Sequence, residues 1–124
     1  MTLDAPALSP NKYRDTWNGQ VIDRLGKEVK LSGWVHRRRD HGGLIFIDLR
    51  DRSGIVQLVF HPEESGNTME IAHKLRSEFV VSVTGKVTKR DAETVNAELP
   101  TGEVEIHVDA VEVLAESQTA PFAI

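Results

Sequence analysis

The sequence predicts an all-β domain, a five-stranded barrel with one short helix between its third and fourth strands. Three observations carry this prediction. Alternation of apolar and polar residues recurs in separate segments, and short glycine-containing turns join the first three of them. One segment with helical spacing follows the third strand. The 124 residues suffice for one domain with a modest hydrophobic core.

The first three predicted strands form a meander. Alternation over residues 29–36 predicts the first strand, and the Asp-His-Gly-Gly sequence at 40–43 predicts a turn, because glycine adopts positive φ without steric cost. The second strand is predicted at 44–50. Ser53 and Gly54 mark a further tight turn before a third strand at 55–60.

A helix and two more strands complete the predicted order. Asn67 is placed as a helix N-cap with Glu70 three positions later, and apolar spacing extends the predicted helix over 68–77. The fourth strand is predicted at 79–87 and the fifth at 103–114. This order is typical of the five-stranded Greek-key barrel called the OB-fold, whose face on strands two and three binds oligonucleotides. Several other small β-barrels have similar strand counts and remain open on the pattern alone.

Strand parity assigns a core face and an outward face. The residues predicted to face the core are Ile45, Ile47, Leu49, Val56, Leu58, Phe60, Val104, Ile106 and Val108. Phe46, Gln57 and Glu105 are then predicted on the solvent side, with Ile55 and Val59 beside Gln57 and His107 beside Glu105. An exposed ring stacks on an unpaired base, while carboxamide and carboxylate groups bind base edges. The alternative is that Phe46 belongs to the core, as a single phenylalanine in a strand usually does.

The basic residues are concentrated in one part of the chain. All 15 Lys and Arg residues lie within residues 1–90, whereas 91–124 contain 8 acidic residues and no basic one. The net charge is −4, so the positive charge is local, which favours recognition of a small target over coating of a long polymer. Arg37, Arg38 and Arg39 can supply phosphate contacts and planar donors to bases. They can equally form a solvated edge that discourages strand pairing.

Several classes of function are disfavoured by the sequence. The absence of cysteine excludes disulfides and cysteine-based zinc sites, and the five histidines show no metal-ligand spacing. No P-loop, GxSxG or GxGxxG motif is present, and no acidic dyad is recognisable. We therefore expect no catalytic site and no metal in this chain. No apolar run approaches the length of a membrane span and no signal peptide is recognised, so a cytoplasmic location is expected.

Asp48, Arg50, Asp51 and Arg52 are predicted to form a structural ion-pair cluster at the turn between strands two and three.

Three blocks of sequence carry a specific resemblance. Residues 33–60 (GWVHRRRDHGGLIFIDLRDRSGIVQLVF), 75–90 (LRSEFVVSVTGKVTKR) and 101–117 (TGEVEIHVDAVEVLAES) resemble the N-terminal anticodon-binding domain of bacterial-type aspartyl-tRNA synthetases. The resemblance covers about residues 13–124. It implies an OB-fold anticodon-binding domain at 13–116, a flexible tail at 1–12, and at 117–124 the start of a linker to a class II catalytic domain that this chain lacks. Thr16–Gly19 and the loop at 91–100 depart from the family pattern.

The resemblance also implies roles for individual residues toward the anticodon, which in this family is G (or its queuosine derivative), U and C. Phe46 matches the ring that stacks on the middle uracil, and Arg39 and Gln57 match residues that read the second and third bases. Glu105 matches the carboxylate that faces the first base. The remaining implied contacts are Arg37 to the loop or its backbone, Arg90 and Asn96 from the loop between strands four and five, and Arg38 and His41 beside them. His41 is also interpretable as an ordinary turn residue.

The implied function is recognition of the aspartate tRNA anticodon loop by the N-terminal domain of an aspartate–tRNA ligase used in protein synthesis. ATP and Mg²⁺ are expected only in the catalytic domain of such a ligase, which is expected to be a homodimer, and the chain by itself is expected to be a monomer without cofactor. The alternatives are a stand-alone OB-fold that binds single-stranded nucleic acid, a structural OB module that mediates protein contacts, and the equivalent domain of an asparaginyl- or lysyl-tRNA synthetase. Tolerance for the asparagine tRNA could be set at His41 or in the 91–100 loop.

Overall fold

A computed structural model describes residues 14–62, 68–90 and 101–116. Its elements are a 3₁₀ helix (Asn18–Arg24), β1 (Glu28–His41), β2 (Leu44–Asp51), β3 (Gly54–Phe60), a short helix α1 (Thr68–Ala72), β4 (Val80–Lys89) and β5 (Val104–Ala115). The strands close into a barrel in the order β1-β2-β3-β5-β4. Only the β3–β5 contact is parallel among these pairs. The predicted all-β class, the five strands and the position of the helix are confirmed.

The barrel interior holds the core that parity predicted. All nine residues assigned to it from strands two, three and five are at most 3% exposed. Val29, Leu31 and Val35 add the contribution of β1, and Leu75 closes one end together with Ala72 of α1. The alternation in these strands therefore separates the interior from the outer face as expected.

β1 is longer than predicted, because a β-bulge interrupts the alternation from which its end was predicted. It pairs with β4 from Glu28 to Trp34 and with β2 from Trp34 to His41, and the register shifts between Val35 and Arg37. A bulge inserts one unpaired residue and reverses the alternation beyond it. The alternation of apolar and polar residues over 29–36 therefore stops at the bulge, although the strand itself continues to His41. The turn is consequently shorter than predicted and consists of Gly42 and Gly43, both at positive φ.

The helix prediction was wrong at its C-terminal end. The α-helix ends at Ala72, and the amides of Lys74 and Leu75 donate to carbonyls three residues earlier, which tightens the chain into turns. The apolar spacing that suggested 68–77 reflects real packing, since Leu75 is buried and Ile71 packs against the core. Asn67, the predicted cap, lies outside the described residues, as do the 1–12 and 117–124 segments.

The 3₁₀ helix was not predicted. It packs against the barrel beside the β2–β3 turn, where Asn18 N–H donates to Asp51 Oδ2 at 2.9 Å and the Asn18 side chain donates to Leu49 O. Asp51 Oδ1 accepts from the backbone and hydroxyl of Ser53. The predicted ion-pair cluster at this turn is therefore wrong: Asp51 is buried as a hydrogen-bond acceptor, while Arg50 and Arg52 are exposed. In residues 14–62, 68–90 and 101–116 no helix is long and apolar enough to cross a membrane.

Candidate nucleic-acid interface

Two neighbouring rows of side chains cross the outer face of the barrel from β1 to β5. The pairings Arg37–Asp48, Asp48–Gln57 and Gln57–Glu105 define the first row. Arg39, Phe46, Val59 and His107 define the second row through the same three strand pairings. Residues two apart on a strand share a face, so the two rows form one continuous outer surface. We call these eight residues the outer surface.

The bulge in β1 places two arginines on this surface. Val35 pairs with core-facing Leu49, so strict alternation would also turn Arg37 and Arg39 inward. Because the register shifts after Val35, Arg37 instead pairs with Asp48 and Arg39 with Phe46. Both arginines are exposed. The guanidinium carbon of Arg39 lies 5.4 Å from the centre of the Phe46 ring, within the range of a cation–π contact.

The same shift turns Arg38 to the other side of β1. Its Nη1 donates to the carbonyl oxygens of Ala72, His73 and Leu75, which follow or end α1. Its Nε and Nη2 donate to the two carboxylate oxygens of Asp40 at 2.9 and 3.0 Å. Arg38 thus caps the helical segment, and the structure does not bring it onto the outer surface.

Gln57 faces outward but is buried, so its predicted exposure was wrong. It is only 5% exposed. Its Oε1 accepts from Arg39 Nη2 at 3.0 Å, and its Nε2 donates to Glu105 Oε1 at 3.1 Å. Val59, also predicted to face outward, is 2% exposed. Gln57 retains one amide hydrogen and one oxygen lone pair for a ligand.

The hydrogen-bonded chain continues through two histidines that the sequence prediction did not include among the site residues. Glu105 Oε2 lies 2.8 Å from His107 Nε2, and His107 Nδ1 lies 2.7 Å from His61 Nε2. The two imidazoles stack with ring centres 4.8 Å apart. For His107 the sequence offered one signal of membership in the site, because it has the same strand parity as Glu105. His61 follows the end of β3, and its position offered no such signal.

The electrostatics of the surface are mixed in sign. Burial raises the pKa of Glu105, but hydrogen bonds from His107 and Gln57 and the charge of Arg90 outweigh it, so the pKa lies below its ordinary value. Burial lowers the pKa of Arg90, against the opposing charges of Glu105 and Asp48. Arg90 is 8% exposed, and its Nε donates to Val104 O. The ionised Glu105 is therefore held among donors and can accept further hydrogen bonds.

The structure brings together six of the predicted residues: Arg37, Arg39, Phe46, Gln57, Arg90 and Glu105. His41 ends β1 and is exposed beside the turn, opposite Leu44. Asn96 lies outside the described residues. Within the described ranges no group of three or more His, Asp or Glu side chains is arranged to hold a metal ion. A half-buried ring flanked by guanidinium, carboxamide and carboxylate groups is suited to stacking on a base and binding base edges.

Comparison with known proteins identifies the family of this chain. Residues 29–114 match the tRNA anti-codon family, described as an OB-fold nucleic acid binding domain. The chain belongs to this family. The matched residues of this OB-fold nucleic acid binding domain span β1 to β5 almost completely and include the whole outer surface.

The curated relatives of this chain include aspartate–tRNA ligases. An aspartate–tRNA ligase from Staphylococcus carnosus is 55% identical over 112 residues, and an aspartate–tRNA(Asp/Asn) ligase from Brachyspira hyodysenteriae is 53% identical over the same length. Each match covers 90% of this chain but 19% of the relative. The crystal structure of asparaginyl-tRNA synthetase from Pyrococcus horikoshii is similar with a TM-score of 0.67 and 35% identity, covering 83% of this chain and 24% of that one. The chain thus spans about a fifth of the length of the curated relatives it matches.

Proposed function

We propose that this chain binds the anticodon loop of the aspartate tRNA, as the N-terminal domain of an aspartate–tRNA ligase. One observation carries the proposal: the outer surface joins Arg39, Phe46, Gln57 and Glu105 in adjacent register positions on four strands. The names of the ligase relatives support the identity of the RNA. The sequence resemblance supports the assignment of bases.

Each residue has a chemically suitable task in this proposal. Phe46 stacks on the middle uracil, and stacking on a ring suits an unpaired loop base. Glu105 accepts from the N1–H and N2–H groups of a guanine at the first position, because an ionised carboxylate has acceptor capacity on both oxygens. Gln57 and Arg39, already hydrogen-bonded to each other, present their remaining donors and acceptors to the second and third bases. Arg37 contacts the RNA backbone, and Arg90 supports the Glu105 side of the surface.

In the whole ligase, anticodon capture would position the tRNA for ATP-dependent aspartylation in a separate catalytic domain. ATP and Mg²⁺ would act there, and the outer surface takes no cofactor in this proposal. The whole ligase would be a homodimer in the cytoplasm, and the isolated chain would be a monomer.

Titration of the 124-residue chain with RNA hairpins tests the proposal. A hairpin with the GUC anticodon should bind more tightly than hairpins with a changed first or middle base and more tightly than unstructured DNA of the same length. The Gln57→Ala variant should lose part of this discrimination. Equal affinity of the wild-type chain for every hairpin and for DNA would instead favour a stand-alone single-strand binder.

A broader specificity is the second candidate, because one of the relatives is named as a ligase for both the aspartate and asparagine tRNAs. The two anticodons differ only at the last base. Comparable affinity for GUC and GUU hairpins would support the broader specificity. A clear preference for GUU, or for a lysine anticodon, would assign the chain to an asparaginyl- or lysyl-type ligase instead.

A further inference from the structure

His61 and His107 form a pair that extends the hydrogen-bonded chain beyond Glu105. The chain runs from Arg39 through Gln57 and Glu105 to His107 and then to His61, with every donor–acceptor distance between 2.7 and 3.1 Å. The side chain of Glu105 is 16% exposed and that of His107 is 34% exposed. Neither histidine has a task in the proposed contacts to the anticodon.

The geometry restricts where protons can lie. The Glu105 carboxylate is an acceptor, so His107 Nε2 carries a hydrogen and donates it. When both rings are neutral, His107 Nδ1 is then an acceptor and His61 Nε2 donates to it. One extra proton can be taken up by either ring without breaking the 2.7 Å contact, because a single hydrogen still lies between the two nitrogens. Two extra protons cannot be taken up without breaking this contact, since an N–H group of each ring would then face the other.

We propose that His107, supported by His61, positions the Glu105 carboxylate for the first anticodon base, so that discrimination at this base depends on the protonation of the histidine pair. This inference rests on the proposed function. With the pair neutral, Arg90 is the nearby positive charge that acts on Glu105, and the carboxylate accepts strongly from guanine N1–H and N2–H. With a proton on the pair, the carboxylate is balanced by an adjacent imidazolium and accepts less strongly. Adenine presents a lone pair at N1, which the carboxylate disfavours in either state.

Other charged groups near the histidine pair do not account for a change in discrimination between about pH 5 and 8. Charged residues on the elements beside the pair include Asp109 on β5, Lys86 on β4, Asp48 on β2, Glu70 on α1, Arg39 on β1 and Arg90 after β4. Lys86 pairs with His107 in register, and its positive charge opposes a second proton on the pair. Imidazole is the side chain whose ordinary titration falls between about pH 5 and 8, where carboxylates and ammonium groups keep their charge.

The test compares two RNA hairpins that differ only in G or A at the first anticodon position. The ratio of their Kd values is measured for the 124-residue chain at about pH 8 and about pH 5.5, either side of ordinary histidine titration. The ratio cancels the general gain in RNA affinity that any added positive charge produces. The variants are His107→Leu, which removes the donor, His107→Gln, whose amide N–H can still donate, and the control His73→Gln at an exposed position beyond α1.

The wild-type preference for G should fall on acidification. The His107→Leu variant should lose about threefold to tenfold of the preference at the higher pH, the effect of one hydrogen bond. His107→Gln should keep the preference there and lose its pH dependence, and His73→Gln should match the wild type. A folded His107→Leu variant that loses affinity for both hairpins equally, or loses none, overturns the inference.

A measurement without RNA tests the proton arrangement separately. Nitrogen NMR of the imidazoles should show that neutral His107 carries its proton at Nε2 and none at Nδ1. A proton on Nδ1 instead would overturn the inference and leave the proposed function intact. Failure of the wild-type chain to bind either hairpin would contradict the proposed function, and the inference with it.

Discussion

Burial and register, rather than residue type, determine what each side chain on the outer surface can do. Arg37 and Arg38 are adjacent in sequence, yet one is exposed on the outer surface and the other donates to three carbonyl oxygens around the end of α1. Gln57 is nearly inaccessible, but its fixed hydrogen bonds orient both ends of its amide. A preorganised side chain of this kind loses little conformational entropy on binding.

Replacement of Phe46 by alanine should weaken binding of the GUC hairpin by about 1–3 kcal/mol, the contribution of one stacked base. The loss should be similar for any base at the middle position, because every base has a π-face. Fluorescence titration at fixed salt measures it, with Phe46→Tyr as a variant that keeps the ring and Leu25→Ala, at an exposed apolar residue, as control. Unchanged affinity of Phe46→Ala would contradict the stacking role.

Glu105 should make the stability of the chain pH-dependent in acid. Because its folded pKa lies below the ordinary value of 4.5, ionised Glu105 stabilises the fold above that pH, and this contribution is lost as the pH falls through the folded pKa. Denaturant unfolding at neutral and acidic pH should therefore show a smaller acid-induced loss for Glu105→Gln than for the wild type. Glu112→Gln, at an exposed position of the same strand, should retain the full loss.

At the scale of elements, one bulge and one short helix are linked. The bulge after Val35 reverses the facing of the three arginines, and Arg38 then reaches the carbonyl groups of Ala72, His73 and Leu75. Carbonyl groups at the end of a helix lack the amide partners of a continuing α-helix. Here Leu75 N–H also donates to Ala72 O, and Arg76 Nη1 donates to the carbonyl oxygens of His73 and Leu75. The Arg38 guanidinium thus adds hydrogen bonds to the end of α1 from β1.

Arg37→Ala and Arg38→Ala should therefore have opposite effects. Arg38→Ala should lower the free energy of unfolding by about 2 kcal/mol, because hydrogen bonds from a charged donor to part-buried carbonyls are lost. Arg37→Ala should leave stability nearly unchanged but weaken binding to all hairpins and reduce the salt dependence of log Kd by about one unit. Chemical denaturation and salt-dependent titration measure both properties. A reversed pattern would refute the assignment of the two arginines.

At the scale of the molecule, barrel closure depends on close approach between strands. A Cβ atom at Gly33 would overlap the backbone carbonyl oxygen of Arg50, and one at Gly85 would overlap that of His107. Gly33 lies just before β1 changes partner from β4 to β2, where the sheet bends to close. The barrel therefore requires glycine at this point for space rather than for backbone conformation.

Gly33→Ala should consequently lower the free energy of unfolding by at least about 2 kcal/mol, since neither backbone can move without opening the barrel. Gly43→Ala provides the contrast, because Gly43 has φ of 84° but no atom within 4 Å of the position that a Cβ would take. At Gly43 only the positive φ disfavours alanine, and it should lower the free energy of unfolding by about 1 kcal/mol. Thermal or denaturant unfolding of the two variants compares them, and equal losses would argue against the overlap.

The local sequence determined the strands and their core face. Alternation in 45–49, 56–60 and 104–108 assigned nine residues of β2, β3 and β5 to the interior correctly, because side-chain direction in a strand has a period of two. Turn residues located the meander, and the same parity placed Phe46, Gln57 and Glu105 on one outward face. These properties depend on neighbours in the chain, so they are visible in the sequence.

Only the tertiary structure decided which residues meet on that face. The bulge that turns Arg37 and Arg39 outward lies just beyond the point where β1 changes partner, and no local pattern records a change of partner. The early end of α1, the burial of Gln57 and the contact between His61 and His107 likewise depend on side chains that are distant along the chain. The sequence determined the face of each strand, whereas strand pairing determined its neighbours, because pairing is set by closure of the whole barrel.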